Sequence, residues 1–241
     1  MIINRLKRLV EEYRNNHKKE IALLQELDWA NVYHDSIRGK AWLQNLPLNI
    51  GRWAGNYTFF YVLNRVLTDC KPNTILEFGL GESSKFISSY LDNYLYQANH
   101  LVIEQNANWY HNFTQNFKLS ERTEVRICNV VSKNVNGVET MGYENLRETI
   151  EGRFDLYVID GPIGSKHYSR YNIVELAKAF SANDNFIIIL DDYHRPGERE
   201  TVSDLLIVFK EKNIIVHTSV YKGSKNVMVI ATDKYKYVCS M

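Results

Sequence analysis

Short apolar runs alternate with amphipathic stretches over most of the chain after residue 73. Five of the runs are typical of β-strands, because they are rich in β-branched and aromatic residues and are bounded by turn residues. They cover residues 74–79, 100–105, 124–130, 154–160 and 185–192. Runs such as FIIIL have no polar position, which is typical of strands buried on both faces and therefore of a parallel sheet.

The segments that join these strands follow a helical period. They predict helices between the first and second, the second and third, and the fourth and fifth strands, and the stretch GYENLRETIEG predicts another before the fourth strand. Near the end, IIVHTSVY and VMVIAT flank the turn KGSKN, which predicts an antiparallel hairpin. We therefore predict an α/β fold with a Rossmann-like, doubly wound, mostly parallel seven-stranded sheet that ends in a C-terminal antiparallel hairpin.

The N-terminal part has a different pattern. Residues 2–27 have apolar positions at helical spacing and predict an amphipathic helix, with Asn15-Asn16-His17 as the place where it would break in two. Such a helix packs on the body of the protein or on a second subunit, and the second interpretation makes the chain a homodimer. A membrane-surface helix is the third interpretation, although Glu11, Glu12 and Glu20 dilute its basic face.

The residues that follow this helix separate it from the sheet. Residues 31–55 are predicted to be irregular, and NYTFFYVLNRVLTDC predicts a helix that ends before Lys71-Pro72. We therefore predict an N-terminal helical or irregular extension over residues 1–55 and an α/β domain over residues 56–241.

Charge and composition exclude several function classes. The 29 Lys and Arg residues nearly balance 28 Asp and Glu residues, which does not suit a nucleic-acid-binding protein. No apolar run reaches the about 18 residues of a membrane span, and no signal peptide is predicted. The cysteines, Cys70, Cys128 and Cys239, are odd in number and lack metal-ligand spacing. They are typical of free thiols in a reducing compartment, so we expect a cytoplasmic protein without stable membrane insertion.

Polar residues and glycines follow the first two strands, at the sheet edge where ligands of doubly wound sheets bind. The first strand leads into EFGLGESS, residues 77–84, whose glycines allow either a tight turn or the approach of a ligand to the backbone. Glu104 ends the second strand about twenty residues later, where a carboxylate can accept hydrogen bonds from ribose hydroxyls. Together these features predict a nucleoside-type cofactor.

The residues of this turn distinguish between cofactors. Dinucleotide sites usually carry a third glycine, which is absent here, and Glu77 and Glu82 would repel a pyrophosphate but suit a cationic amino or sulfonium group. The pattern E-x-G-x-G-x-S resembles motif I of the class I S-adenosylmethionine (SAM)-dependent methyltransferases, whose last strand is also antiparallel. The resemblance implies that SAM binds to the following residues: Glu77, Gly79, Gly81, Ser83 and Glu104, with Asn129 and Val130 near its adenine.

Carboxylates also follow the fourth and fifth strands. Asp160 precedes Gly161-Pro162, and Asp191-Asp192 precede His194. Three acids that converge are unfavourable unless a proton, a cation or a metal ion offsets their charge. We take Asp160, Asp192 and His194 as candidate catalytic residues. A divalent metal ion, if one binds, would have Asp160, Asp191 and Asp192 as ligands. Asp191 or Asp192 could instead cap the following helix or pair with Arg195.

Four segments taken together suggest a narrower family. LEFGLGESS, LVIEQNANWY, YVIDGPIG and LDDYHRPGE resemble the blocks of the glucuronoxylan and arabinogalactan 4-O-methyltransferases over roughly residues 72–210. The resemblance implies SAM-dependent O-methylation of a hydroxyl of a sugar or uronic acid, in a polysaccharide or glycan precursor. In the last block, Asp192, Arg195 and Glu198 match the family pattern, which makes Arg195 and Glu198 candidate substrate-binding residues, whereas Asp191 stands where the family usually has histidine.

Further residues and other function classes remain as alternatives. His167 and Arg170 lie in a basic, aromatic loop that suits an anionic or sugar substrate, and Arg52, Trp53 and Tyr57 are placed to close over the site. The doubled aspartate also resembles metal-dependent catechol-type O-methyltransferases, which act on small molecules. A non-catalytic SAM or nucleoside binder, an aminopropyl transferase and a nicotinamide-dependent oxidoreductase complete the alternatives.

Overall fold

The central feature is a seven-stranded sheet with helices on both faces. The computed structural model describes residues 2–51 and 53–241, without the side chains of residues 2 and 3. The strands are β1 (Thr74–Phe78), β2 (Asn99–Glu104), β3 (Thr123–Ile127), β4 (Val130–Val135), β5 (Val138–Tyr143), β6 (Leu156–Ile159), β7 (Ile187–Leu190), β8 (Val216–Lys222) and β9 (Asn226–Thr232). The helices are α1 (Ile2–Ser36), α2 (Ala41–Gln44), α3 (Tyr57–Arg65), α4 (Glu82–Asn93), α5 (Ala107–Asn116), α6 (Leu146–Thr149), α7 (Asn172–Ala177) and α8 (Pro196–Glu211); a π-helical turn (Val66–Cys70) extends α3, and a 3₁₀ helix covers Asp233–Cys239.

The strand order of the sheet is β3-β2-β1-β6-β7-β9-β8. The first five strands of this order are parallel, and β9 runs antiparallel to both β7 and β8. The order therefore switches direction between β1 and β6, and a crevice at that point is where doubly wound sheets bind their ligands. The predicted parallel sheet with a terminal antiparallel hairpin is confirmed.

Each face of the sheet is covered by its own apolar layer. Ile187 and Ile189 of β7 pack on one side with residues of α3 and α4, whereas Ile188 and Leu190 pack on the other side with residues of α7 and α8. All four side chains are buried, because successive residues of a strand point to opposite faces. This is the arrangement that the uninterrupted apolar run predicts.

The segment between β3 and β6 differs from the prediction. β3 ends at Ile127, and residues 130–143 form the separate two-stranded antiparallel sheet β4-β5. The predicted helix over GYENLRETIEG is reduced to the four residues of α6, because the stretch up to Tyr143 pairs as β5. Asn136 and Gly137 both have positive φ, as a two-residue hairpin turn requires.

α1 is one continuous helix through the Asn15-Asn16-His17 patch and extends to Ser36, into the stretch that was predicted to be irregular. Every side chain from Asn4 to Ile21 is exposed, so no packing interaction disfavours polar residues there. Tyr33, near its end, is buried against α3. Of the helices described, none combines the length and the apolar character that a membrane crossing needs.

Candidate functional site

A cavity of about 420 Å³ opens at the carboxyl ends of β1, β2, β6 and β7, where the strand order switches. It is joined by a second cavity of about 530 Å³ beside the start of α4, and the two share Trp53, Gly79, Leu80, Trp109 and Asp160. The first cavity is also lined by Glu104, Gln105, Asn106, Tyr143, Gly161, Pro162, Ile163, Gly164, Arg170, Asp192, Arg195 and Lys225. Both volumes suit a small-molecule ligand.

The two glycines of the β1–α4 turn serve different purposes. Gly79 has φ of 93°, a conformation that favours glycine, and it supports the tight turn. Gly81 has extended backbone that any residue adopts, and a Cβ built on it would meet no atom of the described residues within 4 Å. The fold therefore does not require glycine at position 81. Its bare backbone lines the second cavity and is open to a ligand.

Glu77 lies beneath this turn and does not line either cavity. Its Oε2 accepts a hydrogen bond of 2.6 Å from Ser84 Oγ and lies 3.1 Å from Nε2 of the buried His100. Ser84 Oγ in turn accepts a 3.0 Å hydrogen bond from the Gly81 amide. Glu77 thus supports the turn from below, while Ser83, one residue earlier than Ser84, lines the second cavity.

Glu104 lies at the end of β2 and lines the first cavity. Its carboxylate accepts hydrogen bonds of 2.7–2.8 Å from the backbone amides of Leu80, Gln105 and Asn106. These contacts fix the carboxylate between the ends of β1 and β2. A carboxylate offers about four lone-pair positions, so it retains capacity for a hydroxyl donor.

Arg170 is the cation that offsets the carboxylates after β6 and β7. Its buried guanidinium donates from Nη2 to Asp160 at 2.8 Å and to Asp192 at 3.0 Å, and from Nη1 to the Asp191 carbonyl at 2.8 Å. Glu198, also buried, has an oxygen 3.9 Å from Arg170 Nε. Arg170, predicted to bind substrate, is thus surrounded by acids of the protein itself.

Two more cations lie at this acidic cluster. Arg195 Nη1 is 3.0 Å from Asp192, and Lys225 Nζ lies 3.8 Å from Asp191 and 3.7 Å from Asp192. Both Asp191 oxygens lack a hydrogen-bond partner among the described residues. Burial, together with the charges of Asp160 and Asp192, raises the pKa of Asp191 to about 7. Burial also raises the pKa of Asp160, against the opposing effect of the Arg170 charge.

Arg170 occupies part of the acidic cluster that the sequence predicts as a site for a divalent metal ion. Asp160, Asp191 and Asp192 each offer an oxygen within 4.8 Å of the others, which is the basis of the predicted metal site. However, Arg170 Nη2 already lies against both Asp160 and Asp192. A divalent ion bound to those two oxygens would have to displace a buried guanidinium, which holds its positive charge at all ordinary pH values.

Several predicted site residues lie outside both cavities. His194 is exposed on the loop after β7, and His167 pairs with Glu200 at 3.0 Å. Val130 begins β4 and Asn129 directly precedes it, and neither residue lines a cavity. Trp53 reaches both cavities, Tyr57 begins α3 without lining either, and Arg52 lies outside the described residues.

Lys225, Trp109 and Tyr143 are among the lining residues that the sequence analysis does not predict as site residues. Lys225 comes from the β8–β9 turn, which lies beside the end of β7 because β9 pairs with that strand. Trp109, in the first turn of α5, donates from Nε1 to the Leu80 carbonyl at 2.7 Å. Tyr143 ends the unpredicted β5 and donates to the Ile103 carbonyl at 3.0 Å. The predicted terminal hairpin was the feature of the sequence that could have indicated Lys225, because its turn lies beside the end of β7.

No protein-family model matches this chain, and no curated protein matches it in sequence. Among solved structures, an O-methyltransferase from Bacillus cereus in complex with SAH is 16% identical with a TM-score of 0.48, over 89% of this chain and 99% of that one. The SAH-bound Podospora anserina methyltransferase PaMTH1 is 14% identical with a TM-score of 0.40, over 93% and 96%. A probable spermidine synthase from Corynebacterium glutamicum is 14% identical with a TM-score of 0.45, over 76% and 67%. At such identities and TM-scores, these likenesses carry no conclusion about what this chain binds or catalyses.

Proposed function

We propose that this protein is a SAM-dependent methyltransferase that methylates a hydroxyl of a sugar or uronic acid, in a polysaccharide or glycan precursor. The observation that carries the proposal is Gly81, whose missing side chain has no use within the fold and leaves backbone open to the cavity. Glu104 at the next strand end, with free acceptor capacity, suits the ribose of the cofactor.

The charge at the site favours a cationic ligand over a dinucleotide. Asp160 and Glu82 line the second cavity, whose described lining holds no Lys or Arg, whereas three cations balance three carboxylates in the lining of the first cavity. Asp160 and Glu82 would repel a pyrophosphate, but they suit the amino and sulfonium groups of SAM. The same acids are a reason to prefer SAM over a nicotinamide cofactor.

SAM supplies an already activated methyl group, so the chain has to position the acceptor and remove one proton. Asp160 is the candidate base, because it lines both cavities and burial raises its pKa. A raised pKa improves a carboxylate as a proton acceptor. Arg170 holds Asp160 and Asp192 in place, which assigns it a positioning role rather than a role in substrate binding.

The walls of the two cavities suit a carbohydrate acceptor. Trp53, 97% exposed, and Trp109, 46% exposed, line both cavities, and aromatic faces of this kind can stack on sugar rings. Arg195 and Lys225 place cations beside the first cavity, where they suit the carboxylate of a uronic acid. Because Arg170 already offsets the charges of Asp160 and Asp192, we expect methyl transfer that does not require a divalent metal ion.

Calorimetric titration tests the cofactor. SAM and SAH should bind the full chain, and NAD should not. Gly81→Val should weaken SAM binding at least about tenfold, because the branched side chain projects into the cavity. The melting temperature should stay within a few degrees, because a Cβ at position 81 lies more than 4 Å from every atom of the described residues. Tight NAD binding without SAM binding would reject the proposal.

A methyl-transfer screen tests the reaction and acceptor. Sugars, uronic acids and catechols are offered with SAM, with and without EDTA. We expect transfer to a sugar or uronic acid that EDTA leaves unchanged; EDTA-sensitive transfer to catechols would favour the metal-dependent alternative. Asp160→Asn should lower kcat by about 100-fold or more. Undiminished transfer in both Asp160→Asn and Asp192→Asn would reject the proposed centre, and SAM binding without transfer to any acceptor would favour a non-catalytic binder.

A further inference from the structure

α1 carries an apolar face that the rest of the described chain leaves uncovered. Its exposed apolar side chains, 42–72% accessible, are Leu6, Leu9, Val10, Tyr13, Ile21, Leu23, Leu24 and Leu27. All side chains from Asn4 to Ile21 are exposed, so this part of the helix projects from the body. In proteins, most of the stability of a helix comes from packing of its apolar face, so an uncovered apolar face is a candidate contact surface.

The apolar positions follow the heptad spacing of a helix pair. Leu6, Leu9, Tyr13, Leu23 and Leu27 occupy alternating three- and four-residue steps, the a and d positions of a heptad. The same spacing places Asn16 and Glu20 in this seam. The side of α1 that faces the body is different: it carries Glu26, Trp29 and Tyr33. The seam is therefore free for a partner helix.

We propose that the partner is a second copy of α1 in antiparallel orientation. When the twofold axis passes between Arg14 and Asn15, Leu6 faces Leu23 of the second copy, Leu9 faces Glu20, and Tyr13 faces Asn16. The residues that flank this seam are then complementary in charge: Glu12 of each copy lies beside Lys19 of the other. The same face of α1 is used by both copies, so each contact between them occurs twice, as in any twofold interface.

Glu20 determines the orientation. In a parallel pair, the two Glu20 carboxylates would face each other in the apolar seam, which is unfavourable for like charges. In the antiparallel pair, eleven residues separate them along the axis, or about 16 Å. Glu20 also disfavours a lipid surface as the partner. If this face of α1 lay on a membrane, the Glu20 carboxylate would be buried in the membrane interface.

Sedimentation equilibrium of the full-length chain tests this proposal. The wild type should dimerise, and Lys19→Glu should raise the dimer Kd about tenfold or more, because two attractive contacts become repulsive. The double variant Glu12→Lys/Lys19→Glu should recover the wild-type Kd to within about threefold. In a parallel pair these two residues do not meet, so absence of rescue would overturn the antiparallel arrangement.

Matched variants separate the seam from a general effect. Leu6→Glu with Leu23→Glu should abolish dimerisation, and Glu20→Leu should lower the dimer Kd about tenfold, since each copy then lacks a charge in the seam. Lys18→Glu, on the opposite side of the helix from the seam, is the control and should leave the Kd unchanged. Far-ultraviolet circular dichroism confirms that each variant is folded. A monomeric wild type at tens of micromolar, or one that binds phosphatidylserine vesicles instead of dimerising, would overturn the proposal.

Discussion

Arg170 is the residue on which the acidic cluster depends. Its buried guanidinium contacts Asp160 and Asp192 and lies near Glu198. Arg170→Met keeps much of the side-chain volume but leaves these carboxylates without their central cation. We expect the free energy of unfolding to fall by about 3–5 kcal/mol, as when one partner of a buried ion pair is removed. Urea unfolding at pH 7 measures the change.

Arg195→Met is the matched control for Arg170→Met. The Arg195 side chain is 45% exposed, although it also lies 3.0 Å from Asp192. Its removal should cost no more than about 1 kcal/mol, because solvent screens an exposed pair. Equal losses in the two variants would mean that burial does not distinguish the two guanidinium groups.

Asp191 gives the fold a pH dependence of its own. Its pKa is about 7 in the folded protein, against an ordinary value near 4. Between these pH values the folded protein holds a proton that the unfolded chain has released, so the free energy of unfolding falls as pH rises from about 4 to 7. Asp191→Asn has no carboxyl group at this position, so its free energy of unfolding should decrease less over this pH range. At pH 8 we expect it to be more stable than the wild type by as much as about 4 kcal/mol.

Denaturation midpoints measured from pH 4 to pH 8 check this expectation. Asp35→Asn serves as the control, because the Asp35 side chain is 67% exposed. A pH profile of Asp191→Asn that parallels the wild type would show that Asp191 does not hold the extra proton.

At the residue scale, the sequence predicted several residues that line the cavities but not the contacts that these residues make. Strand-end position alone predicted Gly81, Glu104, Asp160 and Asp192 in the lining, because parallel strands end at one edge. It could not show that Glu77 points beneath the turn, since the face of a strand-end residue depends on packing. Nor could it choose Arg170 from the basic residues of its loop as the one that enters the cluster.

At the element scale, Glu26 joins three parts of the chain. Its carboxylate accepts hydrogen bonds of 2.6 Å from the Tyr57 amide and from Asn56 Nδ2 at the start of α3, and one of 2.9 Å from the Ser224 amide in the β8–β9 turn. Thr58 Oγ1 donates a fourth bond of 3.2 Å. One carboxylate of α1 thus fixes both the start of α3 and the hairpin turn.

Glu26→Ala should destabilise the protein by about 2 kcal/mol, because it removes the acceptor of several partly buried donors. Gln25→Ala, the neighbouring exposed position, should leave stability within about 0.5 kcal/mol. Thermal unfolding monitored by circular dichroism distinguishes the two. A Glu26→Ala variant as stable as Gln25→Ala would show that water replaces this acceptor without cost.

Elements with buried apolar faces were predictable, and elements without them were not. The runs at β1, β2, β6 and β7 are almost wholly buried, so burial and the apolar pattern agree. The β4–β5 hairpin is partly exposed and largely polar, so its sequence shows only a weak alternation of apolar and polar residues. Its Asn136-Gly137 turn was the stronger signal, because that dipeptide favours the positive φ values of a two-residue hairpin.

At the scale of the whole molecule, the projecting part of α1 is separable from the fold. Removal of residues 1–20 deletes only exposed side chains among those described, whereas Glu26 and Tyr33 remain. We expect the shortened chain to be monomeric and, at the same low protein concentration, to keep its melting temperature within about 2 °C. A large loss of stability in a monomeric wild-type sample would show that this segment packs on the body.

The contacts of Glu26 have a thermodynamic consequence for the assembly. Ser224, whose amide donates to Glu26, directly precedes Lys225 in this turn, and the Lys225 ammonium lies 3.8 Å from Asp191 and 3.7 Å from Asp192, which lines the cavity. The β8–β9 turn therefore contacts both α1, which carries the proposed dimer seam, and the lining of the first cavity. We expect linkage: if SAM tightens dimerisation by some factor, dimerisation must tighten SAM binding by that same factor. Dilution of the protein, which dissociates the dimer, would then change the affinity for SAM. Glu26→Ala should abolish this dependence of SAM affinity on protein concentration.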